Sequence, residues 1–350
     1  MRLPNIAAAP AALLAVAVVL GGLHAAFNLP RAVAQESGST PGGSAPIARV
    51  DAGDFRALAV STDGQWLMVA DAAADQLRVY DLQADDQPLT AAVPLEGMPL
   101  DVAAGLDFAV TAVDSGGRTG LVQVIGLAPY DPAQTFAPLT VFDLPDRPRS
   151  VSISPDGAWA MVVSEGGWLL AELVTVDTVN TTFYPSPIND AILLNNFAVL
   201  AARNQPELFT AALNEGAQAS VNRAQPLTLA APAQRLTVNQ NGTLAAALLT
   251  DGSLVLFDPR AMQLLATLQA GALADLRFLT FEGGEWLVLL AENRAEIYLV
   301  DVSDPEAAAE LGSLPIEATP VQAITTYDDL IFVADRSSVR IWQAAVNQVQ

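Results

Sequence analysis

An all-β, seven-bladed β-propeller is the architecture this sequence predicts, and three observations predict it. Short apolar segments alternate with turn residues from residue 47 almost to the end of the chain, with little sign of helix. A strand–turn–strand passage centred on Asp-Gly or a related pair recurs about every 44 residues, the length of one four-stranded blade. The last recurrence carries only three strands, and an orphan apolar segment, Ile47-Ala48-Arg49-Val50, stands before the first. Joined, the two complete a ring with no open sheet edge at its seam.

The chain begins with material that does not belong to the ring. Arg2 precedes an apolar stretch over 6–27, and Ala32-Val33-Ala34 offers small residues in the spacing that a signal peptidase reads. Residues 1–34 are expected to be a signal peptide or, since the stretch is long enough to span a bilayer, a membrane anchor. Arg2 favours an N-in orientation in either case. The folded part is then extracytoplasmic: periplasmic, secreted or tethered to the outer face of the cytoplasmic membrane. Residues 35–46 are rich in Gly, Ser and Pro and are expected to be a flexible linker. The propeller is assigned to 47–346 and a short tail to 347–350.

Four copies of the repeat are clear. They contain Ser61-Thr62-Asp63-Gly64, Ser154-Pro155-Asp156-Gly157, Asn239-Gln240-Asn241-Gly242 and Glu282-Gly283-Gly284. Weaker copies centre on Gly105-Leu106, Asn195-Asn196 and Asp328-Asp329. Asp or Asn before Gly is expected to supply the positive-φ residues of two-residue hairpin turns. A third strand then ends in an apolar residue and Asp, as in Tyr80-Asp81, Val176-Asp177, Phe257-Asp258 and Val300-Asp301. A less regular fourth strand follows. Residues 126–138 read as a surface loop inserted in the second blade. Trp66, Trp159 and Trp286 recur two residues past the turn Gly and are expected to pack between blades. Trp168, out of that register, is expected at an exposed blade edge.

Pro148-Arg149-Ser150-Val151-Ser152-Ile153-Ser154-Pro155-Asp156-Gly157 resembles the P-x-x-V-x-x-S-P-D-G passage of YVTN repeats. Tyr298-Leu299-Val300-Asp301-Val302-Ser303-Asp304-Pro305, with Ile331-Phe332-Val333-Ala334-Asp335 after it, resembles LVIVD repeats. Both belong to the WD40-like propellers found outside the bacterial cytoplasm, and the likeness covers roughly residues 47–343. It implies the fold, and a function among surface-binding modules or lactonase-like enzymes. A propeller hosts many activities, so the fold does not choose between them.

Composition excludes whole classes of chemistry. The 350 residues carry 38 Asp and Glu against 16 basic residues, all of them Arg, with no Cys and one His, His24, in the apolar N-terminal stretch. Without Lys there is no Walker-type loop or Schiff base. Without Cys there is no disulfide, thiol nucleophile or thiolate metal site. A ring without His has no imidazole triad. Net charge is −22, and removal of residues 1–34 takes away Arg2 and Arg31 to leave −24, which argues against nucleic acid as a partner. No cofactor and no metal site is expected, and contact with membrane only through residues 1–34 retained as an anchor.

Ligands of propellers gather where inner strands enter the central channel. Counting back from the turn Gly places Arg56, Arg149, Arg235 and Arg277 near that mouth, and the weaker blades contribute Asp101, Asp190 and Gln322. Two explanations fit this set: Arg and Asp of adjacent blades pair and stitch the ring, or the arginines form an anion site. The acidic pairs Asp85-Asp86 and Asp328-Asp329 belong to no motif that fixes a catalytic separation or a calcium loop. A non-enzymatic binding or scaffolding module, engaging a protein or cell-envelope partner, is therefore the expected function. A lactonase- or hydrolase-like enzyme using Asp, Glu and Arg at the mouth, and a calcium or small-anion sensor, are the alternatives.

Overall fold

The computed structural model describes residues 48–344 except 52, 85–88, 118, 128–135, 176–177, 282–283, 293–295, 317–320 and 336–337. The expected signal or anchor segment, the linker, the tail, Asp85-Asp86, Val176-Asp177 and most of the inserted loop lie outside the described residues.

Seven four-stranded antiparallel sheets form the chain into a seven-bladed propeller, as the repeats predict. In six sheets the strands follow chain order, each blade being a meander. The inner strands are Phe55–Val60, Met98–Ala104, Pro148–Ile153, Ile188–Leu194, Ala233–Val238, Leu273–Phe281 and Val321–Tyr327. Each neighbours the next around a central channel, and the last neighbours the first. In the seventh sheet Val321–Tyr327, Leu330–Asp335 and Ser338–Gln343 are followed by Ala48–Asp51, with Val50 opposite Val339.

The second and third strands of a blade are covered on both faces by neighbouring blades. They consequently read as continuous apolar runs rather than alternating ones. Trp159–Ser164 and Ala245–Leu249 are buried at every residue. Outer strands such as Leu89–Pro94 and Gln218–Thr228 are largely exposed. Two-sided burial accounts for a chain that is 52% hydrophobic and only 15% charged.

The core is distributed over the blade boundaries. Among the described residues seven apolar clusters occur, each made by two adjacent blades. At the boundary of the last and first blades, Phe332, Ala334 and Ile341 pack with Phe55, Leu67 and Val69. Trp159 and Trp286 are buried in such clusters, with Leu193 and Leu200 and with Ile324 and Ile331 respectively. Trp66 packs edge-on against Phe136, their ring centroids 4.9 Å apart. Trp168 departs from expectation: it is fully buried, and its ring stacks on Tyr184 at 4.0 Å.

Two-residue turns join Leu194 to Phe197 and Tyr327 to Leu330 as expected, with Asp328 at a positive φ of 53°, but the inner hairpins of the first and third blades differ. In the first blade Ser61 N–H donates to Trp66 C=O at 2.9 Å, enclosing the four residues 62–65. Gly64 alone takes positive φ, 71°. Asp63 serves by accepting: its Oδ1 receives the Ser61 hydroxyl at 2.5 Å and the Gln65 N–H at 3.0 Å. Ser154, Asp156 and Ala158 repeat this pattern in the third blade. The Asp residues ending third strands do similar work, Asp81 accepting Gln83 N–H and Asp301 accepting Ser303 N–H, each at 2.9 Å. Many of the acids are thus local turn-formers.

Candidate functional site

Every inner strand enters the channel through a β-bulge at the same place. One extra residue interrupts the pairing between Phe55 and Ala57, Pro99 and Asp101, Pro148 and Ser150, and Ile188 and Ala191. The same occurs between Ala233 and Arg235, Leu273 and Asp275, and Val321 and Ala323. A bulge re-aims side chains and takes a backbone N–H out of the ladder. Seven such bulges in register re-aim the side chains at the strand entrances and free N–H groups beside them.

A cavity of about 340 Å³ occupies the channel, and Arg56, Asp101, Arg149, Asp190, Arg235, Arg277 and Gln322 all line it. The structure therefore brings together the full set expected from the repeats. Ser150 and Asp275 belong to the same lining and were not anticipated. The wall changes character along its length: the charged groups stand near the strand entrances, whereas toward the hairpins Val60, Ala104, Ile153 and Val238 line it together with Ser152, Thr237 and Thr325.

The four arginines do not share one level. Arg56, Arg149 and Gln322 stand at the bulges; Asp101, Asp190, Arg235 and Asp275 follow; Arg277 lies two residues deeper than Asp275. Counting back from the turn misplaces Arg277 because its strand, Leu273–Phe281, has nine residues where Phe55–Val60 and Ala233–Val238 have six. Asp275 is the true counterpart of Arg235.

Two of the carboxylates, Asp101 and Asp190, join neighbouring blades. Asp101 accepts its neighbour's N–H, from Val102, at 2.9 Å and the Val151 N–H of the third blade at 2.8 Å. Asp190 accepts the Ser150 hydroxyl on one side and the Leu236 N–H on the other, both at 2.9 Å. Asn189 adds a bond to the Ala233 carbonyl at 2.7 Å. Asp275 accepts from Leu276 N–H at 2.9 Å and pairs with Arg277 at 2.7 Å. Arg56 pairs with Asp54 at 2.7 Å. The Arg–Asp pairs therefore lie within single blades, and the bridges between blades run from Asp101 and Asp190 to N–H and hydroxyl donors, so the expected pairing of Arg with Asp of the adjacent blade is not what joins the strands. Arg149 is exposed at the rim, and Arg235 is half-buried in the wall. Neither of them forms a hydrogen bond or a close ion pair among the described residues.

Electrostatics follow from this crowding. Desolvation pushes the Asp101 carboxyl up to about 6, against the opposing pull of the Val151 N–H, Arg277, Arg235 and the Val102 N–H. Desolvation works against the Arg235 charge, but Asp190, Asp275 and Asp101 outweigh it and hold the guanidinium above its usual value. Four Arg against three Asp leave the lining near neutrality, in a chain whose net charge is strongly negative.

Among the described residues no group of three or more His, Cys, Asp or Glu is arranged to hold a metal ion, and no helix is long and apolar enough to cross a membrane. No protein-family model matches the chain, and no curated protein matches its sequence. The propeller is established by the strand arrangement, and the repeat resemblance stands as a likeness of motifs.

Proposed function

We propose that this chain is an extracytoplasmic, non-enzymatic binding module that engages a protein or cell-envelope partner through the channel-mouth face of its propeller. One observation carries the reading: Asp101, Asp190 and Asp275 are each committed to hydrogen bonds at the strand entrances, those of Asp101 and Asp190 reaching the neighbouring blades. A hydrolase of the lactonase kind needs a carboxylate free to move a proton at a defined distance from a second group. A binding platform needs the opposite, a rim held rigid before the partner arrives. Arg149, exposed at that rim, is the member of the set most open to a macromolecular partner.

Export rests on the apolar stretch and the Ala32-Val33-Ala34 spacing of the sequence. Within the same proposal, Ala48–Asp51 is the outer strand of the seventh blade and closes the ring; its antiparallel register on Ser338–Gln343 supports this. The repeats are assigned to the YVTN and LVIVD types on the motifs quoted above.

The test is cross-linking of the full chain in an envelope fraction, comparing wild type with Arg149→Glu, alongside hydrolysis assays on a lactone panel. A partner cross-linked by wild type and lost from an equally stable Arg149→Glu supports the reading. Lactone turnover that disappears in a folded Asp101→Asn overturns it.

A further inference from the structure

We propose that the channel lumen holds a small monocarboxylate with an aliphatic tail, its carboxylate on Arg235 and its tail toward Ile153 and Val238. This inference is independent of the macromolecular partner, which would meet the rim and not the lumen.

Arg235 is the starting point. It is half-buried and lines the cavity, yet it makes no hydrogen bond or close ion pair among the described residues. Of the other arginines lining the cavity, Arg56 pairs with Asp54 and Arg277 with Asp275, each at 2.7 Å, while Arg149 stands exposed at the rim. A guanidinium carries five donors in a rigid planar fork, and a confined channel offers them few substitutes for bulk water. A carboxylate matches that fork with two parallel hydrogen bonds.

The surroundings restrict the charge of the ligand. Asp101, Asp190 and Asp275 act on Arg235 through space and keep it ionised. They would also repel a doubly charged anion more than a singly charged one, so a carboxylate fits better than the dianionic form of inorganic phosphate. Toward the hairpins Val60, Ile153 and Val238 line the wall among Ser152, Thr237 and Thr325, and these apolar groups give a short hydrocarbon tail its contacts. A cavity of about 340 Å³ is at the small end for ligand sites, in keeping with a short-chain acid.

Titration calorimetry on the full chain, purified in mild detergent, tests this with hexanoate as probe and with hexanamide and inorganic phosphate as comparators. Hexanoate is expected to bind saturably, one per chain, with hexanamide and phosphate at least about tenfold weaker. Arg235→Gln should weaken hexanoate at least about tenfold. Arg235→Lys keeps the charge without the fork, serves if Arg235→Gln fails to fold, and should also weaken it. Arg260→Gln, an exposed position outside the cavity lining, should bind like wild type. The proposal is overturned if wild type shows no saturable hexanoate binding, or if hexanamide or phosphate binds as tightly. It is likewise overturned if Arg235→Lys retains wild-type affinity.

Discussion

Asp190 accepts the Ser150 hydroxyl at 2.9 Å across the boundary between the third and fourth blades. Its second oxygen takes the Leu236 N–H of the fifth blade at 2.9 Å, so one buried side chain ties three consecutive inner strands. Removing it strands two donors in the channel wall. Asp190→Ala should therefore lower the unfolding free energy by about 3 kcal/mol, and Ser150→Ala, which deletes one donor and leaves the carboxylate its other bond, by about 1 kcal/mol. Denaturant titrations of the two variants check this; equal losses would show that Asp190 does not act as the three-blade link.

Asp101 makes the stability of the ring depend on pH. Its folded carboxyl lies at about 6, raised from an ordinary 3.8 chiefly by desolvation. Between those values the native state binds more protons than the unfolded chain, so the contribution is fully present below about 4 and is lost as pH rises through about 6. The window is worth at most about 3 kcal/mol. Wild type should thus lose stability relative to Asp101→Asn between pH 4 and pH 7, and the difference between their melting curves across that range measures the effect. A difference that does not change with pH would refute the raised carboxyl.

A second buried carboxylate anchors the entrance of the first blade. Asp71 has no solvent exposure, accepts the Asp54 N–H at 3.0 Å and pairs with Arg78, whose guanidinium lies 5.6 Å from the Phe55 ring centroid. Asp71→Ala leaves Arg78 only Tyr80 and strips the Asp54 and Ala73 N–H groups of their acceptor, and should cost about 3 kcal/mol. Arg147 pairs with Asp114 at 2.8 Å with its side chain 44% exposed. Arg147→Ala should cost under about 1 kcal/mol. Chemical unfolding of the two variants side by side reads the contrast directly.

The blades were legible because strands buried on both faces are long apolar runs, and the turns between them need Asp, Asn and Gly. The residues of the mouth were legible too, since a fixed count from the turn reaches the strand entrance wherever the strand has its usual length. Asp275 escaped because its strand is longer, and nothing local to Leu273–Phe281 announces that. The bulges were invisible for a related reason. The residues at those places range over Arg, Leu, Asn, Gln and Ala, so the irregularity is imposed by packing around the channel and not by local preference. Trp168 was misjudged from the Gly166-Gly167 pair before it, which reads as an exposed turn; the ring instead folds back onto Tyr184 in the cluster between the third and fourth blades.

Gly64 and Gly216 separate two causes of intolerance to a side chain. Both have positive φ, 71° and 74°, where any L-residue is strained. At Gly216 an added Cβ would meet nothing within 4 Å, whereas at Gly64 it would stand 2.2 Å from Cε1 of Tyr327 in the seventh blade. Gly216→Ala should therefore cost only the backbone term, about 1–2 kcal/mol. Gly64→Ala carries that term and must also displace the Tyr327 ring at the boundary of the first and last blades, adding about 1–3 kcal/mol. Tyr327→Ala opens the space, so the Gly64→Ala cost measured in that background should fall to that of Gly216→Ala. A double-mutant cycle followed by urea unfolding gives the coupling; a value near zero would mean that the first hairpin and the seventh blade do not meet there.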